Sequence, residues 1–346
     1  METLNAIREL LDIPVPLRNR GILPASLVQA YDILSDGIRG FRKKISLPDP
    51  WGTVKDSLDI IWLCADSDNP AVFWTKNSFQ CTCTGNTVNL TVKYMRRSKA
   101  EEYAGRLLDA VEEVDRAASA ARGDALTLAL SVHDYLASKI VYDPKGPMCH
   151  SAAGALLEGR AVCSGISAAA SLMLNRAGVR CETVFGKVRG RDDIWHSWNR
   201  VCDGKGLMHM DITNDMKSQV GFVSHKYFLL NREKAVRALS WVDDGEEPSD
   251  FDYFRRTGRY AGSAGEAERI MTECAERGIY SAEMAVDPGL AEKQLVDSIG
   301  AAYGPYCRGA PVTYRFDRKM DVFSYEVDGT AARKKPDGEQ GTFICN

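Results

Sequence analysis

The sequence has no long apolar run, no strong charge of either sign, no C-x-x-C pair, no internal repeat and no low-complexity block. Each absence excludes a class. No stretch approaches the roughly 18 apolar residues of a membrane-spanning helix. The 44 Lys+Arg stand against 47 Asp+Glu, a formal net charge of −3, so electrostatics gives no reason to propose nucleic acid as a partner. Met1–Leu11 is charged at Glu2, Arg8 and Glu9 and lacks the apolar run of a signal peptide. The expectation is a chain in a reducing cytoplasm with no membrane partner. With 45% hydrophobic and 26% charged residues it is globular, not disordered. Its 346 residues allow one large domain with extensions, or two to three smaller ones, with a core that needs no disulfide staples.

What the chain does have is cysteine. There are ten: Cys64, Cys81, Cys83, Cys149, Cys163, Cys181, Cys202, Cys274, Cys307 and Cys345. A disulfide framework competes with reduced thiols, one of them reactive, and a reducing compartment favours the thiols. Zinc is not expected. Cys81-Thr82-Cys83 is C-x-C with no second pair nearby, and Cys149-His150 is adjacent rather than spaced. Phe79, Cys81 and Cys83 alternate as small and apolar residues packed on one strand face would.

The pattern predicts an α+β protein. Residues 1–97 form a helical and β-hairpin region, 98–242 the core, 243–262 a linker, 263–328 a small α/β unit and 329–346 a flexible polar tail. Residues 1–45 read as helical, with Leu27, Tyr31, Leu34 and Ile38 as an apolar stripe and Pro48-Asp49-Pro50 as a breaker. Ser57–Leu63 is ambiguous between strand and helix. Phe79–Thr84 and Thr87–Tyr94 read as strands joined by Gly85-Asn86. Helices are expected over Ser98–Ala121, interrupted at Arg122-Gly123, over Ala125–Lys139 capped by Asp124, and over Cys163–Ala177 ended by Gly178. Val141–His150 reads as a loop. Cys181–Val188, His196–Cys202 and Leu207–Ile212 have the period of strands, the last two joined by a tight turn at 203–206. Farther on, helices over Ala264–Glu276 and Pro288–Ala301 alternate with strands over Ile279–Val286, Pro311–Phe316 and Asp321–Val327.

One cysteine stands apart. Glu158–Gly165 is a Gly-containing loop that delivers Cys163 to a helix start. There the helix dipole and unpaired amides favour thiolate, below the free value of about 8.5, and those amides suit an oxyanion. A nucleophilic thiol needs a base and the base an orienter. His196, 33 residues on, is the candidate base, and Asp211, 15 residues farther, the candidate orienter. If Asp203 pairs with Gly206, Trp198 faces Asp211 and His196 faces Thr213. His196 and Asp211 are then diagonal neighbours on one sheet face, about 7–8 Å apart at Cα and within hydrogen-bond reach. A one-residue slip would put Asp211 on the other face. Taken singly, each residue has a plainer reading: Cys163 as a buried small residue, His196 as a packed histidine between two tryptophans, Asp211 as a cap on the next turn. His133 and His150 read as structural or surface residues, and His209, on the face of Asp211, as either a neighbour of the site or an exposed residue.

Four motifs also carry a resemblance. Tyr142-Asp143, the cysteine loop Ser151–Gly165, the helix end Leu174–Val179, and His196-Ser197-Trp198-Asn199 followed by His209–Asp215 resemble the transglutaminase-like superfamily, the papain-related enzymes of bacterial type with Cys, His and Asp in that order. A looser similarity reaches back over Asp66–Phe73. Ser164 departs from the Gln of many relatives, and Ser167 from the Ala or Tyr-Ala common there. Nothing from about residue 262 onward is covered.

The resemblance implies a papain/transglutaminase-like core, with the cysteine at a helix N-terminus packed on an antiparallel sheet that carries His and Asp. It implies acyl transfer at a peptide or carboxamide carbonyl through a Cys163 thioester, with His196 as base and Asp211 as its orienter. Trp195, Trp198, Ser164 and Tyr142 are the candidate pocket residues, the two tryptophans reading as pocket walls or core. No cofactor or metal is expected, and no calcium loop pattern is present. The expected partner is a peptide or protein substrate. With water as acceptor the protein is a protease or amidase, the first expectation, since water needs no second substrate site. With an amine it is a transglutaminase. A non-catalytic binding module with a vestigial triad is the alternative from another class.

Overall fold

The computed structural model describes residues 3–119, 124–202, 204, 206–216, 222–245 and 249–331. They fall into two compact units, one of Met1–Asn214 with Leu239–Ser249, the other of Asp215–Ala238 with Asp250–Asn346. Helix and strand are mixed in both. No helix among the described residues is long and apolar enough to cross a membrane.

The first unit opens with helices. Leu27, Tyr31, Leu34 and Ile38 lie buried along Ala25–Arg39, as the spacing of the stripe requires. The helical reading of 1–45 overreaches at its end. Lys44–Pro48 is a strand whose Ile45 and Leu47 point inward, because it pairs with Thr87–Thr91, a partner no local pattern reveals. The ambiguous apolar run is a helix, Leu58–Ser67. Thr75–Thr84 and Thr87–Tyr94 pair as the Gly85-Asn86 turn predicts, with Gly85 at φ +56°. Phe79 packs on Trp62 at 4.7 Å, but Cys81 and Cys83 are exposed, so the packed-face reading of that C-x-C pair is corrected.

Helices Arg97–Ser119 and Ala125–Lys139 follow, the second capped by Asp124, whose carboxylate accepts from Leu126 N–H at 3.1 Å. The predicted break at Arg122-Gly123 lies outside the described residues, as do Asp203 and Lys205 of the hairpin turn. Val141–His150 is not all loop. Val141–Tyr142 pairs in parallel with Arg160–Ala161, which fixes the approach to Cys163. Helix Cys163–Arg176 packs against a four-stranded antiparallel sheet, ordered Leu207–Met210, Arg191–Cys202, Cys181–Val188, Leu239–Ser240. Two side-chain amides join helix to sheet. Asn175 Nδ2 donates to Cys181 O at 2.7 Å, and Asn199 Nδ2 to Ser167 O at 2.9 Å.

The second unit contains a four-stranded sheet, ordered Tyr260–Ala261, Ser281–Val286, Val322–Val327, Val312–Asp317. Helices Ala264–Glu276 and Glu292–Tyr303 pack on one another over a core that includes Met271, Leu295, Met284 and Phe323. The stretch 243–262 divides between the two units and carries a one-turn helix, Tyr253–Arg256, and the strand Tyr260–Ala261. Of the polar tail, Gly329–Ala331 is a 3-10 turn, and residues 332–346, with Cys345, lie outside the described residues.

Candidate active site

Cys163 begins its helix, and the preceding Val162 is extended and offers no side-chain cap. The first-turn amides therefore have no intrahelical partner. The surrounding loop is held close. Val162 N–H donates to Cys149 O at 2.9 Å, and Arg160 pairs with Asp143. Gly165 is where the loop touches the helix: a Cβ there would sit 2.4 Å from Cys149 O and 2.9 Å from Ser151 O. Glycine at this position lets backbone approach backbone.

The sheet supplies the other two residues. The pairing of Asn199 with Met210 and Cys202 with Leu207 is the register expected from the turn. It carries His196 and Asp211 to one place: His196 Nε2 lies 2.8 Å from Asp211 Oδ2, and both residues are buried. Asp211 also caps the turn Ile212–Asp215, as its plainer reading held. Its Oδ1 accepts from Asn214 N–H at 3.1 Å, and Oδ2 accepts from Asn214 Nδ2 at 2.6 Å. Sequence reasoning gave Asn214 no role. The available signal was its place three residues after Asp211, where a capping carboxylate meets a backbone amide.

With Nε2 committed to Asp211, Nδ1 is the ring nitrogen left to serve Cys163, whose ionisation His196 favours. The half-buried thiol loses solvation, which opposes ionisation. The hydrogen bond and charge of His196, with the Ser197 N–H, outweigh that and hold the thiol below its ordinary value. Burial opposes the imidazolium as well, but the charge and hydrogen bond of Asp211, then those of Cys163, raise His196 to about 10. Each charged form thus favours the other, the imidazolium the thiolate and the thiolate the imidazolium.

The four pocket candidates separate. Trp198 is buried and stacks on His196, ring centroids 5.9 Å apart, while its indole N–H donates to His209 Nδ1 at 2.9 Å. It is a support under the imidazole, part of the core rather than a pocket wall, and His209 is buried. Trp195 is 55% exposed, with the Lys187 ammonium 4.0 Å from its ring centroid. Ser164 Oγ meets His150 Nδ1 at 3.0 Å. Tyr142 is 47% exposed. Its hydroxyl is pushed up by partial burial and then by the charge of Cys163. His133 is fully buried and bonds Asp134 at 2.9 Å.

Among known proteins, a model described as the transglutaminase-like superfamily matches residues 112–212, a span containing Cys163, His196 and Asp211. No curated protein matches the chain. A solved structure described as "Crystal structure of a TGase" is similar at 14% identity and a TM-score of 0.30. That similarity covers 44% of this chain and 48% of the other, so the chain spans about half the length of that relative.

Proposed function

We propose that this chain, whose residues 112–212 match the transglutaminase-like superfamily, transfers acyl groups at a peptide or carboxamide carbonyl through a Cys163 thioester. The observation that carries this reading is the 2.8 Å bond between His196 and Asp211, on a sheet packed against the helix that Cys163 begins. Cys163 attacks the carbonyl carbon as thiolate. The carbonyl oxygen becomes an oxyanion, which the Cys163 backbone N–H stabilises. As the intermediate collapses, the carbon–nitrogen bond breaks and the His196 imidazolium gives its proton to the leaving amine. A thioester and a neutral imidazole remain. A water molecule then attacks the thioester, His196 takes its proton, and the acid departs with the thiolate restored. Asp211 fixes the ring orientation and stabilises the imidazolium at both stages.

Hydrolysis is the preferred outcome because water requires no second binding site. An amine acceptor would follow the same steps and give an amide. The test has two stages. Iodoacetamide labelling across pH should find one cysteine reacting well below pH 8.5, its label lost in Cys163→Ala. Incubation with a peptide library, with and without a primary amine, read by mass spectrometry, then distinguishes cleavage, deamidation and cross-linking. A Cys163 no faster than the other cysteines would overturn the enzyme reading in favour of a binding module.

A further inference from the structure

A cavity of about 520 Å³ in the first unit shares lining residues with a recess whose wall includes the neighbours of Cys163 and His196 in the chain. His150 and Ser151 line both this cavity and a small recess, and the recess is also lined by Ser164 and Ser197. Ser164 follows Cys163 in the chain, and Ser197 follows His196. His150 and Ser151 thus mark the side on which a chain extending from an acyl group on Cys163 would meet the cavity.

The chemistry of the cavity is one-sided. Lys76, Arg96 and Lys99 line it, all three side chains exposed, and among the described residues none has a carboxylate partner. Lys99 instead lies over the Tyr103 ring, 5.3 Å from its centroid. Asp66 is the acidic lining residue, and burial raises its carboxyl to about 7, so at neutral pH it offsets the cations only in part. Phe73, Met95 and Met148 supply apolar surface. Three cations converging on a concave, partly apolar space focus a positive potential where an anionic group with an aliphatic stem would lie.

We propose that this cavity is a specificity subsite that takes a carboxylate-bearing part of a peptide acyl donor, the carboxylate among Lys76, Arg96 and Lys99 and its stem against Met95, Met148 and Phe73. The proposal rests on the reading of Cys163 as the nucleophile. The test measures equilibrium binding, so that the two can fail separately. The full chain carrying Cys163→Ala is titrated against rhodamine-labelled peptides in matched pairs, Glu against Gln, and a free C-terminus against a C-terminal amide, by fluorescence anisotropy.

The Glu peptide should bind about ten-fold tighter than the Gln peptide at low salt, and the advantage should shrink at high salt as the charges are screened. Gain in the first pair assigns a side-chain carboxylate, gain in the second a chain-terminal one, and either supports the subsite. Reversing Lys76, Arg96 and Lys99 to Glu should abolish or invert the preference. The single change Lys99→Gln should cut it about two- to three-fold should the triple variant fail to fold. Equal affinities within both pairs, or a preference that survives the substitutions, would overturn the subsite and leave the Cys163 alkylation result standing. An inert Cys163 with a retained preference would overturn the nucleophile and leave the subsite standing.

Discussion

Asp211→Asn isolates one charge. The substitution keeps the size of the side chain and an oxygen that can accept from His196 Nε2. It also keeps a good cap for the Ile212–Asp215 turn, since Asn caps about as well as Asp. What goes is the charge that leads the effects raising His196 from 6.5 to about 10. That rise is worth about 4–5 kcal/mol, shared between Asp211 and Cys163. With the Asp211 charge gone and only Cys163 left to oppose burial, the imidazolium loses its main support and the thiolate its partner. The second-order rate of iodoacetamide labelling at pH 6.5 should then fall by about 100-fold, and the labelling midpoint should move up toward the ordinary thiol value of about 8.5.

Stability carries the same signature. His196 is raised in the folded state, so its contribution is fully present below the unfolded value of 6.5 and is lost as pH rises through about 10. The difference in unfolding free energy between wild type and Asp211→Asn should therefore be largest near pH 6 and shrink toward pH 10, read by urea denaturation at each pH. An unchanged labelling midpoint, in a variant whose melting temperature shows it folded, would refute the claim that Asp211 sets the protonation of the pair.

Two further substitutions probe the frame around those residues. Gly165→Ala puts a Cβ 2.4 Å from Cys149 O, a backbone atom that cannot swing away, so a cost of about 2–3 kcal/mol and a melting temperature lower by about 5–10 °C are expected; an unchanged melting temperature would mean that the loop yields freely. Asn214→Ala removes the 2.6 Å donor to Asp211 Oδ2 and should lower kcat/KM about five- to ten-fold, mainly through kcat, with little thermal cost, whereas Asn214→Asp, which sets a second carboxylate against Asp211, should do worse than Ala. Equal rates for the two variants would remove Asn214 from the positioning of the carboxylate.

The convergence of His196 and Asp211 was legible because a tight turn fixes strand register locally. The end of one strand and the start of the next determine which residues face each other, and the pairing of Asn199 with Met210 follows. The cysteine was legible because a loop with glycine before a helix is a local pattern, and Asp124 and Gly178 marked helix ends for the same reason. What was missed depends on distant chain. Trp198 looked like a pocket residue because an aromatic beside a candidate base suits either role. It is buried instead, and its neighbour Trp241, ring centroid 5.9 Å away, comes from a segment with no strand signal beyond the two residues Leu239–Ser240. Gly186 poses the same problem from the opposite side. In sequence it is a weakness in a strand. In the fold it pairs with His196 while the Ser240 carbonyl passes so close that a Cβ would stand 2.1 Å from it, with Trp198 Cη2 at 2.9 Å. The glycine leaves room at one position for both the Ser240 carbonyl and the Trp198 ring, and that ring is the one stacked on His196. The imidazole thus owes its partners to a hairpin readable from 20 residues, 191–210, and its support to a packing contact readable only once residue 240 has returned to the sheet.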